Sequence, residues 1–387
     1  MGFEEESQSG IALAADGVPL WKRYRGEFPV TAKLIYMNHA GVTPLCRRAA
    51  DAMRRIVDDA ESYGSYHYDA WLAEYAGLRD VAARLIGASA GEIAIVKNTS
   101  EGIATVALGL DWKPGDRIIV FEEEFPANYY PWKRLESRGV RLETLSVRDP
   151  LERIEAAAKG ARLLAISFVQ YLSGFRADLE AIGEICQRHG CLLFVDAIQG
   201  LGAFPLDVRR ARIHALAADG HKWLLGPEGC GILFIQHDLQ DSIEPVEFGY
   251  TNVAHFTDYG RRQNVLRSDA GRYEPGTLNT VGIAGLRAGI ELLLEAGVDQ
   301  IGRDVQGLGD RIADGVALKG YEVLGPRTPP TGAGIVSFRK ETVDSRMLYQ
   351  QLRGRGIVVA PRQGWVRTAP HFYISPEEID RFLSLLP

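Results

Sequence analysis

The sequence contains little cysteine, which occurs at only four of its 387 positions. Cys46, Cys186, Cys191 and Cys230 form no Cys-x-x-Cys pair and no zinc-ligand spacing, and most of their neighbours are apolar. These features exclude a secreted disulfide scaffold and a structural zinc site. We therefore predict four reduced, buried thiols in a cytoplasmic protein without a metal site.

The sequence also lacks basic clusters and long apolar runs. The net charge is −6 and no polybasic segment occurs, which excludes nucleic acid and anionic membranes as partners. The longest apolar stretch, residues 163–169, has the length of a buried strand and is far too short to span a membrane. The acidic start, residues 1–6, is unlike a secretory signal. We expect a small-molecule partner.

Two nucleotide-binding motifs are missing as well. No Gly-x-Gly-x-x-Gly follows the early strands, and no Gly-x-x-x-x-Gly-Lys-Ser/Thr occurs. The first absence argues against a nicotinamide-dependent dehydrogenase, and the second excludes a P-loop NTPase.

What the sequence does contain is a regular alternation of strand and helix patterns over residues 93–196. Such alternation predicts an α/β fold with a mainly parallel sheet and helices on both faces. Residues 229–234 look like a returning strand, and the last hundred residues favour a smaller α+β domain. We predict a tail or strap at 1–30, a large domain at 31–280 and a small domain at 281–387, which part of the N-terminal segment joins.

Lys222 lies in a setting that is unusual for a lysine. It stands between His221 and Trp223, and apolar residues and a Gly-Pro turn follow. This is a poor sequence for a solvated face and is typical of a lysine at a strand end. A buried lysine has a lowered pKa and can act as a neutral amine nucleophile. Such an amine can hold an aldehyde cofactor as a Schiff base.

Other polar residues also lie at predicted strand ends, where ligands bind in sheets of this type. Asp196 ends the apolar run 192–195, and it either caps a turn or accepts a hydrogen bond from a protonated ring nitrogen. Thr99 and Ser100 begin a helix, where they either cap it or bind a phosphate. The residues alone leave both alternatives open.

Taken together, these motifs resemble the class V aminotransferase family of pyridoxal 5′-phosphate (PLP) enzymes, which have fold type I. Cysteine desulfurases, isopenicillin N epimerase and kynureninase are relatives in this family. The resemblance extends from about Asn38 to Tyr373, and Asp196-Ala-Ile-Gln199 followed by Gly220-His221-Lys222 is its most specific part. It implies a seven-stranded sheet, PLP as cofactor, an amino acid and possibly a keto acid as substrates, and a homodimer with shared active sites.

The resemblance implies a role for each matching residue around the cofactor. Lys222 matches the lysine that forms the Schiff base and later moves protons, and Asp196 matches the carboxylate on the pyridine nitrogen. Gln199 matches the donor to the phenolic oxygen, and Phe125 matches the residue that stacks on the ring. The matches to the phosphate site are Thr99, Ser100, His221 and Thr277, which crosses the dimer interface. Asp219 stands where desulfurases carry a serine; we count it as a cofactor-binding candidate and leave its role open.

The resemblance also implies residues for the substrate. Arg367 matches the arginine that binds the α-carboxylate, and Arg362 is a second candidate, although a surface ion pair is the alternative for either. The segment that lines the substrate pocket is matched by Asn38, His39 and Ala40, of which His39 could also be a simple turn histidine. Tyr171 or Gln170 lies near the ring, and we take Tyr171 as the candidate.

The chain departs from the desulfurase pattern at one point. Desulfurases carry a nucleophilic cysteine on a loop shortly before the carboxylate-binding arginine, but residues 356–367 contain no cysteine. We therefore do not expect the usual persulfide mechanism. The predicted activity is transamination, with epimerisation and C–S or β-elimination as alternatives. A non-catalytic scaffold would be expected to lack Lys222 or Asp196, and both are present.

Overall fold

The computed structural model describes residues 17–325, 327 and 331–387. Of the predicted tail at 1–30, residues 1–16 lie outside the described residues, and the rest forms a four-residue helix and two short 3-10 turns. Within the described ranges, no helix is both long enough and apolar enough to span a membrane.

The described strands and helices alternate over residues 93–196, as the sequence pattern predicts. The strands are β1 (Ile35–Tyr36), β2 (Ile93–Val96), β3 (Arg117–Phe121), β4 (Arg141–Leu145), β5 (Leu163–Ser167), β6 (Leu192–Asp196), β7 (Ala215–Asp219), β8 (Gly231–Ile235), β9 (Glu322–Val323), β10 (Val336–Arg339), β11 (Ile357–Val358), β12 (Ala360–Arg362) and β13 (Trp365–Thr368). The helices are α1 (Leu20–Arg23), α2 (Arg47–Tyr63), α3 (Tyr68–Ile86), α4 (Thr99–Gly109), α5 (Tyr130–Arg134), α6 (Leu151–Ala158), α7 (Leu179–His189), α8 (His237–Gln240), α9 (Thr280–Ala296), α10 (Val298–Leu318), α11 (Ser345–Gly354) and α12 (Pro376–Ser384).

A seven-stranded sheet forms the centre of the molecule. Its order is β2-β8-β7-β6-β5-β3-β4, and only β8 runs antiparallel to its neighbours. The predicted α/β class, the mainly parallel sheet and the returning strand are therefore confirmed. Because β3, β5, β6 and β7 are parallel, their carboxyl ends lie at one edge of the sheet.

Both faces of this sheet are covered, which explains why its strands are almost continuously apolar. Along β5, Leu164 and Ile166 pack into one hydrophobic cluster, while Leu163 and Ala165 pack into another on the opposite face. Helix α4 lies close to β7 because Gly102 has no side chain; a Cβ at that position would approach the Cβ of Ala217 to 2.8 Å.

A second, four-stranded antiparallel sheet lies in the C-terminal part of the chain, in the order β12-β13-β10-β9. Helix α12 begins with the capping box of Ser375 and Glu378 and with Pro376 in its first turn. The N-terminal segment reaches this region, since β1 pairs in parallel with β11 and Asn38 bridges to Ala369. The division of the chain into two domains stays a prediction.

Candidate active site

A cavity of about 320 Å³ opens at the edge of the large sheet where its parallel strands end, a size typical of small-ligand sites. Residues from the large sheet, the N-terminal segment and the β12–β13 hairpin line it together. They are Ala40, Gly41, Val42, Asn98, Thr99, Ser100, Phe125, Ala127, Ser167, Tyr171, Asp196, Ile198, Gln199, Asp219, His221, Lys222, Arg362 and Arg367. Most of the residues predicted from the sequence are thus brought together.

Lys222 lies in the loop that follows β7, at the centre of the cavity. Gly220 is needed at the start of this loop, because a Cβ there would meet the carbonyl of Cys230 and the side chain of Leu286, each at 2.8 Å. Burial lowers the pKa of Lys222 to about 8; Asp196 opposes this shift, and the positive charge of Arg367 adds to it. A substantial fraction of the amine is therefore neutral at physiological pH.

Asp196 ends β6 and is buried beside Lys222. Its Oδ1 accepts a hydrogen bond from the backbone N–H of Ile198, 3.1 Å away. Burial raises the pKa of Asp196 to about 6, although that hydrogen bond and the charge of Lys222 both favour the ionised form. A carboxylate in this setting is ready to accept a hydrogen bond from a cationic ring N–H.

The N-terminus of α4 contributes an anion-binding surface to the cavity. Asn98 caps the helix by accepting a hydrogen bond from the N–H of Glu101, and this leaves the N–H groups of Thr99 and Ser100 without partners inside the helix. Both residues line the cavity. Backbone donors and the helix dipole together favour a phosphate at this position.

Asp219 is an acidic residue next to this anion-binding surface. Its backbone N–H donates to Oγ1 of Thr99 at 3.0 Å, and its Oδ2 lies 3.0 Å from Nδ1 of His221. Its other carboxylate oxygen, Oδ1, is buried without a hydrogen-bond partner among the described residues. Nδ1 of His221 is likewise buried without a hydrogen-bond partner among the described residues, so its short distance to Asp219 is a contact and not a hydrogen bond.

Gln199 is held in one amide orientation. The indole N–H of Trp223 donates to Oε1 at 3.1 Å, and Nε2 donates to the carbonyl of Ala40 at 3.1 Å. The indole has only a donor, so it must meet the amide oxygen and not the amide nitrogen. One amide hydrogen of Gln199 therefore remains for a ligand in the cavity.

Two aromatic rings form one wall of the cavity. Phe125 contacts Tyr171 edge to face, with ring centroids 5.3 Å apart, and the amine of Lys222 lies 5.9 Å from the Phe125 centroid. The exposed face of Phe125 can therefore stack on a planar ring. Of the two residues that the sequence left open, Tyr171 lines the cavity, while the amide of Gln170 is buried against Glu124.

Arg367 and Arg362 approach from the β12–β13 hairpin. Nη1 of Arg367 donates to the carbonyl of Tyr171 at 2.8 Å, and its buried Nε has no partner among the described residues. Burial and, to a lesser degree, the positive charge of Arg362 lower the pKa of Arg367 to about 10. A carboxylate ligand would satisfy the guanidinium and offset this repulsion.

Three of the predicted residues do not line this cavity. His39 is fully buried, with Nε2 2.6 Å from the hydroxyl of Tyr373, and its ring packs against Trp223 and His371. Asn38 lies beneath Gly41, and a side chain at Gly41 would clash with it. Thr277 is exposed and lines a neighbouring pocket, with its hydroxyl 3.3 Å from that of Tyr250.

Sequence reasoning missed one prominent buried acid, Glu124. Its Oε1 accepts hydrogen bonds from the N–H of Ser167 at 2.7 Å and from the amide of Gln170 at 2.9 Å. Its Oε2 accepts from the amide of Asn128 at 3.0 Å and from the hydroxyl of Ser167. Burial raises the pKa of Glu124 to about 7. The adjacent acidic residues at 122 and 123 hid it in the sequence, since such a run usually faces solvent.

The residues that are present fit PLP. Phosphate fits the α4 N-terminus, the ring nitrogen fits Asp196, and the phenolic oxygen fits the free amide hydrogen of Gln199. Asp219 and Arg367 both line the cavity, and their atoms Oδ1 and Nε are buried without hydrogen-bond partners among the described residues. A ligand that offers a donor to the first and an acceptor to the second would complete these contacts.

The family relationship agrees with this geometry. The family model described as aminotransferase class-V matches residues 35–370, and the chain therefore belongs to this family of PLP-dependent enzymes. PLP is the cofactor of the site.

Individual relatives are similar over almost the whole chain. A probable cysteine desulfurase of Pyrococcus abyssi is 31% identical over 94% of this chain and 96% of that protein. The uncharacterized aminotransferase YcbU of Bacillus subtilis is 28% identical over 92% of this chain and 95% of that protein. The apo structure of a cysteine desulfurase from Thermococcus onnurineus NA1 superposes with a TM-score of 0.87 at 28% identity, covering 97% of this chain and 98% of that one.

Proposed function

We propose that the protein cleaves a C–S bond at Cβ of an amino acid by β-elimination and does so without a protein thiol. The observation that carries this proposal is the cavity itself, which combines Lys222, Asp196 and Arg367 and has no cysteine in its lining. All four cysteines of the chain are buried away from the cavity. The Pyrococcus relative is named as a probable cysteine desulfurase and the Thermococcus structure as a cysteine desulfurase, which supports sulfur chemistry. A persulfide on the protein would need a cysteine in the cavity, and the lining has none.

Each residue of the site has a separate role in the proposed reaction. PLP, when bound, supplies the electron sink that stabilises negative charge at Cα. Asp196 keeps the ring nitrogen protonated, Phe125 stacks on the ring, and Arg367 holds the α-carboxylate. The neutral amine of Lys222 takes the proton from Cα, for which its pKa of about 8 suits it.

The bond changes balance without an added oxidant or reductant. The Cα–H bond breaks and its proton goes to Lys222, while its electron pair forms the Cα=Cβ bond. As the Cα=Cβ bond forms, the Cβ–S bond breaks, and sulfur leaves with its bonding pair and takes up the proton that Lys222 holds. The product is 2-aminoacrylate, which water hydrolyses to pyruvate and ammonia.

The test is a product assay on the PLP-loaded protein. With L-cysteine or L-cystine as substrate, we expect pyruvate in amounts equal to the ammonia released. The sulfur product is sulfide from L-cysteine and cysteine persulfide from L-cystine. Lys222→Ala is expected to abolish this release. A wild-type protein that cannot be loaded with PLP, or that releases alanine and no pyruvate, would contradict the proposal.

Transamination, the activity predicted from the sequence, remains the second candidate. The similarity to YcbU supports it, and so does the lack of a thiol, which transamination does not need. The two reactions are separated by adding a 2-oxo acid. An aminotransferase converts that acid to its amino acid, whereas a lyase forms pyruvate equally well without it.

A further inference from the structure

The β12–β13 hairpin carries two arginines on one face. Its two-residue turn, Gln363-Gly364, has positive φ at both positions, 49° and 84°, which is the geometry of a tight type I′ hairpin. Arg362 pairs with Trp365 and Ala360 pairs with Arg367. Because side chains alternate along strands, Arg362 and Arg367 project from the same face at diagonal positions.

The two guanidinium groups lie at different depths. Arg367 is buried and Arg362 is exposed, yet both line the cavity. The amide of Gln363 donates to the hydroxyl of Tyr171 at 2.9 Å, and this bond ties the hairpin tip to the wall of the large sheet. Diagonal residues on a hairpin are separated by about 7–8 Å, which exceeds the width of one carboxylate. Arg362 is therefore held at the mouth while Arg367 lies below it.

Neither arginine is joined to a carboxylate within residues 17–325, 327 and 331–387. Arg362 donates to the carbonyl of Pro361 at 3.2 Å, and Arg367 donates to that of Tyr171. Two cations close to each other with no resident anion repel, and a bound anion at each would relieve the repulsion. One α-carboxylate at Arg367 leaves Arg362 available for a second acidic group.

We infer that the site takes amino acids with a second acidic group on the side chain, such as a carboxylate or a sulfinate. Arg367 binds the α-carboxylate, and Arg362 binds the side-chain acid at the cavity mouth. This inference rests on the proposed PLP-dependent chemistry at Lys222, and it applies to elimination and to transamination alike.

The experiment is a spectral titration of the PLP-loaded protein with matched amino acids. L-Aspartate is compared with L-asparagine, L-glutamate with L-glutamine, and L-cysteine sulfinate with L-cysteine. We expect each acidic member to half-saturate the change in the cofactor band at a concentration at least tenfold lower than its neutral partner. Arg362→Gln should remove this preference by weakening the acidic members only, and Arg362→Lys should restore part of it.

The control variant is Arg353→Gln, which removes an exposed arginine from α11 outside the cavity lining. It should leave both members of each pair unchanged. Equal responses to aspartate and asparagine in the wild type would overturn the inference, as would an equal loss of both in Arg362→Gln, while the proposed chemistry would stand. A cofactor band that no amino acid perturbs would instead contradict the proposed function, and the inference with it. The wild-type comparison decides the question even if Arg362→Gln does not fold.

Discussion

At the scale of single residues, the amine of Lys222 controls how the cofactor is captured. Only the neutral amine attacks an aldehyde, and the pKa of Lys222 is lowered to about 8. The rate constant for PLP capture by the cofactor-free protein should therefore rise with pH and level off above about 8. Arg367→Gln removes a positive charge that lowers this pKa, so its midpoint should move to higher pH.

Stopped-flow absorbance measures this rate across the pH range, with Lys222→Ala as the variant that captures no PLP. A wild-type midpoint near the ordinary lysine pKa of 10.5 would mean that the amine is solvated and not buried.

Glu124 makes a second prediction at this scale. Its pKa is raised from 4.5 to about 7 in the fold, so it holds a proton that the unfolded chain has already lost. The stability that this group contributes is fully present below pH 4.5 and is lost as the pH rises through 7. Relative to Glu124→Gln, the cofactor-free wild type should lose on the order of 3 kcal/mol of unfolding free energy across that window.

Urea unfolding at a series of pH values measures the difference. Glu122→Gln is the matched control, since Glu122 is the exposed acid two positions earlier. The difference in unfolding free energy between this variant and the wild type should be the same at every pH. If the difference in unfolding free energy for Glu124→Gln is also independent of pH, the four hydrogen-bond donors around this carboxylate stabilise its ionised form as much as burial destabilises it.

At the scale of elements, the loop after β7 depends on the close approach of its backbone to its neighbours. A methyl group at Gly220 would force Cys230 or Leu286 to move, and with them the loop that carries Lys222. Gly220→Ala should therefore reduce PLP occupancy severely, which the absorbance ratio of cofactor to protein measures. Gly354→Ala at the end of α11 meets no atom within 4 Å and should bind PLP fully.

The strand ends could be predicted from the sequence because apolar runs and the polar residues that follow them are local patterns. Lys222 and Asp196 were found in this way. The burial of His39 could not be predicted in this way, because its hydrogen-bond partner Tyr373 lies 334 residues away in the sequence. Little local distinguishes Glu124 from its two acidic neighbours either, because three of its four donor groups come from β5 and from the loop that follows, and only Asn128 is close in sequence.

At the scale of the whole molecule, the homodimer stays a prediction. Thr277 is exposed in the single chain, with the partly exposed Tyr250 beside it. If a second subunit covers this region, sedimentation should give twice the chain mass of 42.6 kDa. Thr277→Arg should then lower both the mass and the PLP occupancy, because a cation would be forced into the subunit boundary.

Thr342→Arg is the matched control, since Thr342 is also an exposed threonine but lies between β10 and α11. A monomeric wild type that retains PLP would contradict both the dimer and the role of Thr277.

The burial of all four cysteines has a consequence for how sulfur would leave this molecule. An enzyme that stores sulfur on its own thiol must pass it on to an acceptor before the next turnover, and alkylation of that thiol stops it. Here the sulfur would diffuse away as a small molecule, and iodoacetamide under native conditions should leave turnover intact, because all four thiols are buried and none lines the active-site cavity. Such a protein would release sulfur to the surrounding solution without a dedicated carrier.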